Sequence, residues 1–302
     1  MNRLTLGHAM AEHEYLTVDV FTDRRFGGNP LAVFPDARGI DDATMQALAA
    51  ELNYSETTFV LPPEDPANTA RVRIFNRSTE MPFAGHPNVG TAFVLARFDQ
   101  TATVLRFEEQ AGLVEVRLLA RDGTVHGAEI DAPQPLSLLG ELPVDAIAAC
   151  LSLAPGDIDT ARHAPVRASV GVDFVLVGVA PGALARAAPD LGAYRRLAAR
   201  TPGLQRRLSI FLYEPHGEDV HARMFAPLAG TWEDAATGSA NATLAALRLH
   251  LSGAEALAYR AVQGVEMGRE SHLNLRAWRT PEGVRASVGG SCVPIFRGTV
   301  SL

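Results

Sequence analysis

Two segments of the chain contain helices that are apolar on nearly every face. Each helix follows a strand-like run and a glycine-containing turn, and it begins with small residues. The segments are "RVRIFNRSTEMPFAGHPNVGTAFVLARF" and "HARMFAPLAGTWEDAATGSANATLAALRL". A helix without a polar face has to be buried on all sides. The sequence therefore predicts an α+β fold of two pseudo-symmetric domains, each a mostly antiparallel, barrel-like sheet wrapped around one central helix.

The remaining elements are mostly strands. "YLTVDVF" alternates in polarity and, with "GGNPLAVF" after a glycine turn, predicts a hairpin. "DDATMQALAAELN" has an aspartate cap and helical spacing, and "NVGTAFVLARF" is the predicted central helix of the first half. Near the carboxyl end, "VRASVGG" and "VPIFRGTV" are predicted as separate strands.

The length of 302 residues is close to that at which a single core divides into two. Residues 132–143 are rich in Pro and Leu without periodicity, which is typical of a linker. We predict an amino-terminal domain over residues 1–133 and a carboxy-terminal domain over 134–290. A last strand near residues 291–302 is expected to return to the first domain, and the active site is expected in the cleft between the domains.

Composition narrows the class of protein. With 47% hydrophobic and 20% charged residues, the chain is typical of a globular protein. Its net charge of −7 and scattered arginines argue against a nucleic-acid partner, which requires clustered positive charge. The apolar runs are too short and too often broken by Gly and Pro to cross a membrane. The first 16 residues have no continuous apolar stretch, so we expect no signal peptide.

Cofactor and metal motifs are missing from the sequence. Cys150 and Cys292 are far apart and have no metal-ligand spacing, which indicates free thiols in the reducing cytoplasm. We find no dinucleotide-binding glycine fingerprint, no phosphate-binding loop and no zinc-protease motif. The chemistry is therefore expected to depend on side chains alone.

The starts of the two central helices are candidate binding elements. "GHPNVG" contains His86 and Asn88, whereas "DAATGSA" contains Asp234, Thr237 and Ser239. A first helical turn presents free N–H groups and partial positive charge, which suit a carboxylate. The alternative is that the polar side chains only cap the helices. Two matched starts in one chain favour a ligand cleft between the halves.

Glu56 opens the strand-like run "ETTFVL". A glutamate at a strand start is commonly a solvated charge. If it is held out of water, its pKa rises towards neutrality and it can act first as a general base and then as a general acid. His86, between Gly85 and Pro87 at a helix entrance, is similarly either structural or displayed for chemistry.

Seven segments of the chain, taken together, resemble the successive motifs of the phenazine-biosynthesis PhzF-like isomerases. They are "VDVFTDRRFGGNPLAVF", "NYSETTFVLPP", "RIFNRSTEMPFAGHPNVGTA", "ARMFAP", "EDAATGSA", "VQGVEMGRESHL" and "VGGSCVPIFRGTV". The resemblance extends from near residue 15 to the carboxyl end. It implies the diaminopimelate-epimerase fold and a cofactor-independent transfer of a proton between carbons of a small carboxylate-bearing substrate.

The resemblance also implies roles for individual residues. Glu56 matches the family's acid–base carboxyl group, and His86 and Asp234 match its polar partners around the substrate. The remaining matches are residues that hold the substrate or border the cleft: Gly238, Ser239, Asn29 and Gly171. Related epimerases use two cysteines, which Cys150 and Cys292 do not match. Ala235, Asn88 and Trp232 depart from the family pattern.

We therefore predict a cofactor-free cytoplasmic isomerase that shifts a double bond in a small amino acid or dihydroaromatic acid. The family and base rates imply a homodimer. Three alternatives are an epimerase acting at one carbon, a hydrolase using Ser239, His86 and Asp234, and a catalytically silent binding protein. "ATGSA" lacks the Gly-x-Ser-x-Gly elbow of one large hydrolase class.

Overall fold

The computed structural model describes residues 11–204 and 208–302. Residues 1–10, on which much of the signal-peptide prediction depends, lie outside these ranges. Within them, every helix is too short or too polar to traverse a lipid bilayer.

The described residues form a mixed fold in which strands dominate. The strands are β1 (Glu12–Val20), β2 (Asn29–Phe34), β3 (Glu56–Leu61), β4 (Ala70–Asn76), β5 (Glu80–Met81), β6 (Val104–Glu109), β7 (Gly112–Arg121), β8 (Thr124–Asp131), β9 (Ser137–Glu141), β10 (Val166–Ser169), β11 (Asp173–Gly178), β12 (Ile210–His216), β13 (Asp219–Ala226), β14 (Thr231–Asp234), β15 (Ala256–Gln263), β16 (Ser271–Thr280) and β17 (Gly283–Ser301). The α-helices are α1 (Asp42–Leu52), α2 (Gly85–Leu95), α3 (Val144–Cys150), α4 (Ala183–Arg186), α5 (Leu191–Arg200) and α6 (Gly238–Ser252).

Eight strands form a barrel in the order β1, β2, β3, β4, β6, β7, β8 and β17. The barrel is closed because β17 pairs with β8 on one side and with β1 on the other. The predicted hairpin of β1 and β2 is confirmed, with Leu16 opposite Val33. Helix α2 packs against β1, β2, β3, β7, β8 and β17. Every residue of α2 from Gly85 to Val94 is buried, as its lack of a polar face predicts.

The same pairing pattern recurs in the second half of the chain. The parallel pairs β2–β3 and β4–β6 correspond to β11–β12 and β13–β15. The antiparallel run β6, β7, β8 corresponds to β15, β16, β17. Helix α6 occupies the position of α2 and packs against β10, β11, β15, β16 and β17. Residues 240–247 of α6 are all buried.

The carboxyl end forms one 19-residue strand, β17, so the prediction of two separate strands is wrong. Its first part pairs with β16, and residues from Cys292 onwards pair with β1. Gly289 and Gly290 lie within this strand. Glycine is needed at both positions because other groups approach the backbone closely there. A Cβ atom would lie 2.7 Å from Glu129 Cβ at the first glycine and 2.7 Å from Phe21 Cδ1 at the second. These glycines permit close packing and do not form a turn.

Two other predicted boundaries differ from the structure. Within the predicted linker, residues 132–143, β9 pairs with β10. Helix α2 begins three residues before the predicted start at Asn88, so that His86 and Pro87 belong to its first turn. Proline is accepted there because the first turn does not use its missing N–H group. The aspartate cap of α1 is confirmed: Asp41 accepts a hydrogen bond from Thr44 N at 2.7 Å.

Candidate active site

The first turns of α2 and α6 meet beside a cavity of about 150 Å³. A Cβ atom on Gly85 would lie 3.5 Å from the backbone nitrogen of Ser239, which shows how closely the two helix starts approach. Glycine at both starts leaves no side chain between the two backbones. The polar residues that line the cavity come from both halves of the chain and include Ser55, Glu56, Arg77, His86, Asp234 and Ser239.

Both helix starts lack a side-chain cap. Ala84 precedes α2 and Thr237 precedes α6, and neither side chain accepts a hydrogen bond from the turn that follows. The suggestion that polar residues of the second start serve only as caps is therefore wrong. The uncapped N–H groups and the helix dipoles direct positive potential into one cavity, where an anionic group is stabilised.

Glu56 is the first residue of β3 and lies between Leu31 of β2 and Asn76 of β4. Its side chain is 16% exposed. Burial raises the pKa of Glu56 to about 7, and the nearby Asp234 carboxylate acts in the same direction. A hydrogen bond from Ser55 and the positive charge of Arg77 oppose this rise. Both protonation states of Glu56 are therefore accessible near neutral pH.

His86 faces Glu56 with a distance of 3.5 Å between His86 Nε2 and Glu56 Oε2. Burial lowers the pKa of His86 to about 3, although a hydrogen bond with the Pro30 carbonyl favours the protonated ring. The contact therefore joins a neutral imidazole to a carboxyl group and is not an ion pair. Nε2 is buried and has no hydrogen-bond partner among the described residues, so it can bond a molecule in the cavity.

Asp234 ends β14 and is held at both carboxylate oxygens. Asn29 Nδ2 donates to Asp234 Oδ1 at 2.8 Å, and Thr237 Oγ1 donates to Asp234 Oδ2 at 2.7 Å. Burial raises the pKa of Asp234 to about 6, while these two hydrogen bonds act against the rise. Asn29 Nδ2 also donates to the Ala236 carbonyl oxygen at 2.9 Å. The carboxyl group is thus fixed in position at the edge of the cavity.

Gln263 holds the same turn from behind. Its Nε2 donates to the backbone oxygen of Asp234 at 2.8 Å and to Thr237 Oγ1 at 3.0 Å. Its Oε1 accepts from Thr237 N at 3.1 Å and from Asn241 Nδ2 at 2.9 Å. Gln263 is fully buried, so these bonds form without competition from water.

Comparison with known proteins places this chain in a family. The family described as phenazine biosynthesis-like protein (PhzC-PhzF) matches residues 18–298. The chain belongs to this PhzF-like family. An uncharacterized isomerase of Mesorhizobium japonicum is 38% identical, over 96% of this chain and 99% of that protein. The trans-2,3-dihydro-3-hydroxyanthranilate isomerase of Pseudomonas aeruginosa is 35% identical, over 96% of this chain and all of that enzyme.

A solved structure supports the same assignment at the level of the fold. The PhzF-family phenazine biosynthesis protein of Bacillus anthracis superposes with a TM-score of 0.86 at 22% identity, and the match covers 97% of this chain and 100% of that one. The predictions of a PhzF-like family member and of an isomerase are confirmed by these relatives.

The structure brings five of the predicted site residues of this PhzF-like isomerase to the cavity wall: Glu56, His86, Asp234, Gly238 and Ser239. Two others, Asn29 and Gly171, do not line the cavity. Asn29 is 2% exposed and bonds Asp234. Gly171 adopts a φ of +141°, and a Cβ atom there would lie 2.5 Å from Pro133 Cγ. Its neighbour Val172 is the residue that reaches the cavity.

Sequence reasoning did not assign Arg77 and Gln263 to the site. Arg77 lines the cavity from the turn after β4, and its Nη2 lies 3.2 Å from both the Gly230 carbonyl oxygen and Thr231 Oγ1. Both residues fall within motifs quoted for the family resemblance, "RIFNRSTEM" and "VQGVEMGRESHL". The family motifs were thus the available signal, because an isolated arginine or glutamine is usually a surface residue.

The contacts of His86 bear on the hydrolase alternative. Its ring nitrogens lie near Glu56 Oε2 and Asn29 Nδ2, each at 3.5 Å, and Ser239 is not among its hydrogen-bond partners within the described ranges. A catalytic serine requires a base within hydrogen-bond reach. The arrangement therefore does not pair Ser239 with His86 as a nucleophile and its base.

Proposed function

We propose that this PhzF-like isomerase moves a proton between two carbons of a small carboxylate-bearing substrate, with Glu56 as the general base and then the general acid. The observation that carries the proposal is the position of Glu56: a shielded carboxyl group that shares one cavity with two uncapped helix starts. Such a site offers a proton acceptor and an anion-binding position side by side.

Glu56 is suited to both halves of a proton shift. Its pKa of about 7 lies near the expected working pH, so it can remove a proton from one carbon and return it to another. An unperturbed glutamic acid would be a much weaker base. Proton transfer by a positioned side chain contributes about 10²–10⁴-fold to rate, and orientation and electrostatic stabilisation supply the rest.

We propose that the substrate carboxylate binds at the start of α6, at Gly238 and Ser239, close to Gly85. The N–H groups of the first turn donate to its oxygens, and both helix dipoles stabilise its charge. Asp234, fixed by Asn29 and Thr237, then accepts a hydrogen bond from an amino or hydroxyl substituent. His86 Nε2 provides a second contact for such a substituent.

The proposed substrate is a small cyclic, unsaturated amino acid or dihydroaromatic acid. One relative, at 35% identity, is named for the isomerisation of trans-2,3-dihydro-3-hydroxyanthranilate. A molecule of that class carries the carboxylate, amino and hydroxyl groups for which the cavity offers partners. In such a ring, moving one proton between carbons shifts a double bond without any net oxidation.

We also propose that the two repeated halves act as two domains that close over the substrate, with the site in the cleft between them. The repeated pairing pattern around α2 and α6 supports this division. Closure would exclude water, which strengthens the electrostatic interactions of Glu56 with a bound molecule.

The test is a panel of small amino acids and dihydroaromatic acids incubated with the enzyme in heavy water. NMR would detect deuterium entering a carbon-bound position together with the migrated double bond. Glu56→Gln, which keeps the shape and removes the base, is expected to fold normally and to lose the exchange by at least about 10²-fold. Glu51→Gln, at an exposed position of α1, is the matched control.

Three outcomes would count against the proposal. Full exchange by Glu56→Gln would eliminate Glu56 as the base. Deuterium that appears with inverted configuration at the original carbon would indicate an epimerase instead of an isomerase that moves the double bond. Tight binding of a panel member without any exchange would favour a binding protein.

A further inference from the structure

Glu109, the last residue of β6, is a buried carboxyl group outside the proposed chemistry. Both of its oxygens are shielded from solvent, and neither has a hydrogen-bond partner among the described residues. The carboxyl group lies against the amide of Asn88 in the first turn of α2. Asn88 is fully buried, and its Oδ1 also lacks a partner. Three buried oxygens without partners therefore belong to one pair of side chains.

The chemistry of the two groups suggests how these oxygens are satisfied. An ionised carboxylate only accepts hydrogen bonds, so it cannot bond the amide oxygen. A carboxylic acid has an O–H donor, and a primary amide has both a donor and an acceptor. An acid and an amide can therefore form two hydrogen bonds at once, O–H to Oδ1 and Nδ2–H to the carboxyl oxygen. Asn88 Nδ2 retains a second N–H for the Ala84 carbonyl oxygen, at 3.0 Å.

The charged groups that line the same groove as Glu109 include residues already paired with one another. Glu109 borders a groove, and the ionisable residues that face this groove from α1, β4, β5, β6 and the loop before β4 are Asp42, Glu64, Asp65, Arg71, Arg73, Glu80 and Glu108. Arg73 pairs with Asp42 and Glu80, and Arg71 pairs with Glu64. Glu108 accepts from Asn68 and from the backbone of Glu64 and Asp65. No described cation is paired with Glu109.

We propose that Glu109 is a neutral carboxylic acid paired with the Asn88 amide, and that this pair fixes the first turn of α2. That turn carries Gly85 and His86 into the cavity, so Glu109 is a positioning residue for the site. Asn88 links the two regions because it also bonds Ala84, the residue that precedes the helix. The pair thus attaches the end of β6 to the helix start.

Ionisation of Glu109 would break the hydrogen bond from its O–H to Asn88 Oδ1, because two acceptors would then face each other, whereas the Asn88 N–H could still donate to the carboxylate. Burial raises the pKa of Glu109 to about 8, although a hydrogen bond with the Asn88 side chain acts against this rise. A glutamic acid in the unfolded chain ionises near its ordinary value, so the folded state holds the proton more tightly. The contribution of Glu109 to stability is therefore complete at acidic pH, falls as the pH rises from the ordinary value to about 8, and is constant above that.

The first test compares urea unfolding of the wild type and Glu109→Gln at pH 5 and pH 9. Glutamine preserves the shape of the side chain and cannot ionise. The variant is therefore expected to unfold at a higher urea concentration than the wild type at pH 9. At pH 5 its urea midpoint should be equal to or below that of the wild type. Glu108→Gln is the control: its carboxyl is ionised throughout this range because hydrogen bonds hold its pKa below the ordinary value. Its difference from the wild type should be the same at both pH values.

A second comparison tests the pairing itself. Asn88→Leu leaves a buried acid without a partner and is expected to lower the midpoint, whereas Asn88→Leu combined with Glu109→Leu removes both polar groups and should restore much of it. Equal losses in the single and double variants, or a Glu109→Gln difference that does not change with pH, would overturn the pairing.

The link to turnover rests on the proposed function and is tested separately. The wild-type rate of deuterium exchange is expected to decline above about pH 8, whereas Glu109→Gln should keep its rate into this range. An identical decline in both proteins would refute the positioning role. Absence of exchange in both would instead count against the proposed function and would leave the unfolding comparison as the decisive measurement.

Discussion

The two sides of the cavity differ in how far their polar groups are satisfied. On the α6 side, made up of Asn29, Asp234, Thr237 and Gln263, each side chain hydrogen-bonds at least one other of the four. On the α2 side, made up of Glu56, His86, Asn88 and Glu109, buried oxygen and nitrogen atoms of the last three lack partners.

This difference separates two roles that one site requires. Side chains that bond one another are held in one orientation, which suits the α6 side to fixing Asp234, although Asn241 Oδ1 at the edge of this network lacks a partner among the described residues. Groups whose protonation must change cannot all be committed to fixed partners. In the proposed function, the α2 side keeps Glu56 and His86 available for chemistry, at a cost in stability. The predictions below test this division.

The largest expected effect on stability is at Glu56. Because the pKa of Glu56 is raised to about 7 in the fold, the unfolded chain ionises first as the pH rises, and stability falls between the ordinary glutamate pKa and about pH 7. Glu56→Gln should therefore be more stable than the wild type at pH 8, by on the order of 3 kcal/mol. Urea unfolding at pH 4 and pH 8, with Glu51→Gln as the control, would measure it. A variant less stable than the wild type at pH 8 would contradict the cost assigned to the α2 side.

A smaller effect is expected on the α6 side, where the substitution should lower the free energy of unfolding. Asn29→Ala removes the donor to Asp234 Oδ1 and to the Ala236 carbonyl oxygen and leaves buried acceptors without partners. Such loss costs about 1–3 kcal/mol. Asn68→Ala is the matched control, since its partner Glu108 also bonds two backbone N–H groups. Equal unfolding free energies for the two variants would show that the α6 network does not stabilise the fold.

Local patterns predicted the elements of the fold well. The strand alternation, the aspartate cap of α1 and the all-round apolar surface of α2 and α6 are properties of short segments, and each corresponds to an observed element. The long strand β17 contains the glycine pair Gly289 and Gly290, and such pairs commonly mark turns, so local pattern favours two strands there. The close approach of Phe21 and Glu129 that requires Gly289 and Gly290 involves residues distant in sequence.

The candidate site was predictable only in part, for a similar reason. Glycine-led helix starts and the family motifs indicated Glu56, His86 and Asp234. The polar network that supports them could not be predicted from the sequence, because Asn29 and Asp234 are 205 positions apart. In addition, the sequence does not distinguish a buried glutamine such as Gln263 from a solvated one. Glu109 follows Glu108 directly and both line one groove, yet the carboxyl oxygens of Glu109 are buried whereas those of Glu108 accept bonds from exposed groups. Only the alternation of β6 separates their environments.

The smallest expected effect is at Arg77, which lies between the two sides of the cavity. Its positive charge lowers the pKa of both Glu56 and Asp234 against the effect of burial. Arg77→Gln should therefore raise both pKa values, and the rising limb of deuterium exchange against pH should move to higher pH because Glu56 must be ionised to act as a base. Arg71→Gln, which removes an exposed charge paired with Glu64, is the control and should leave the limb in place. If the limb moves equally in both variants, the shift reflects net charge, and Arg77 does not tune the two carboxyl groups.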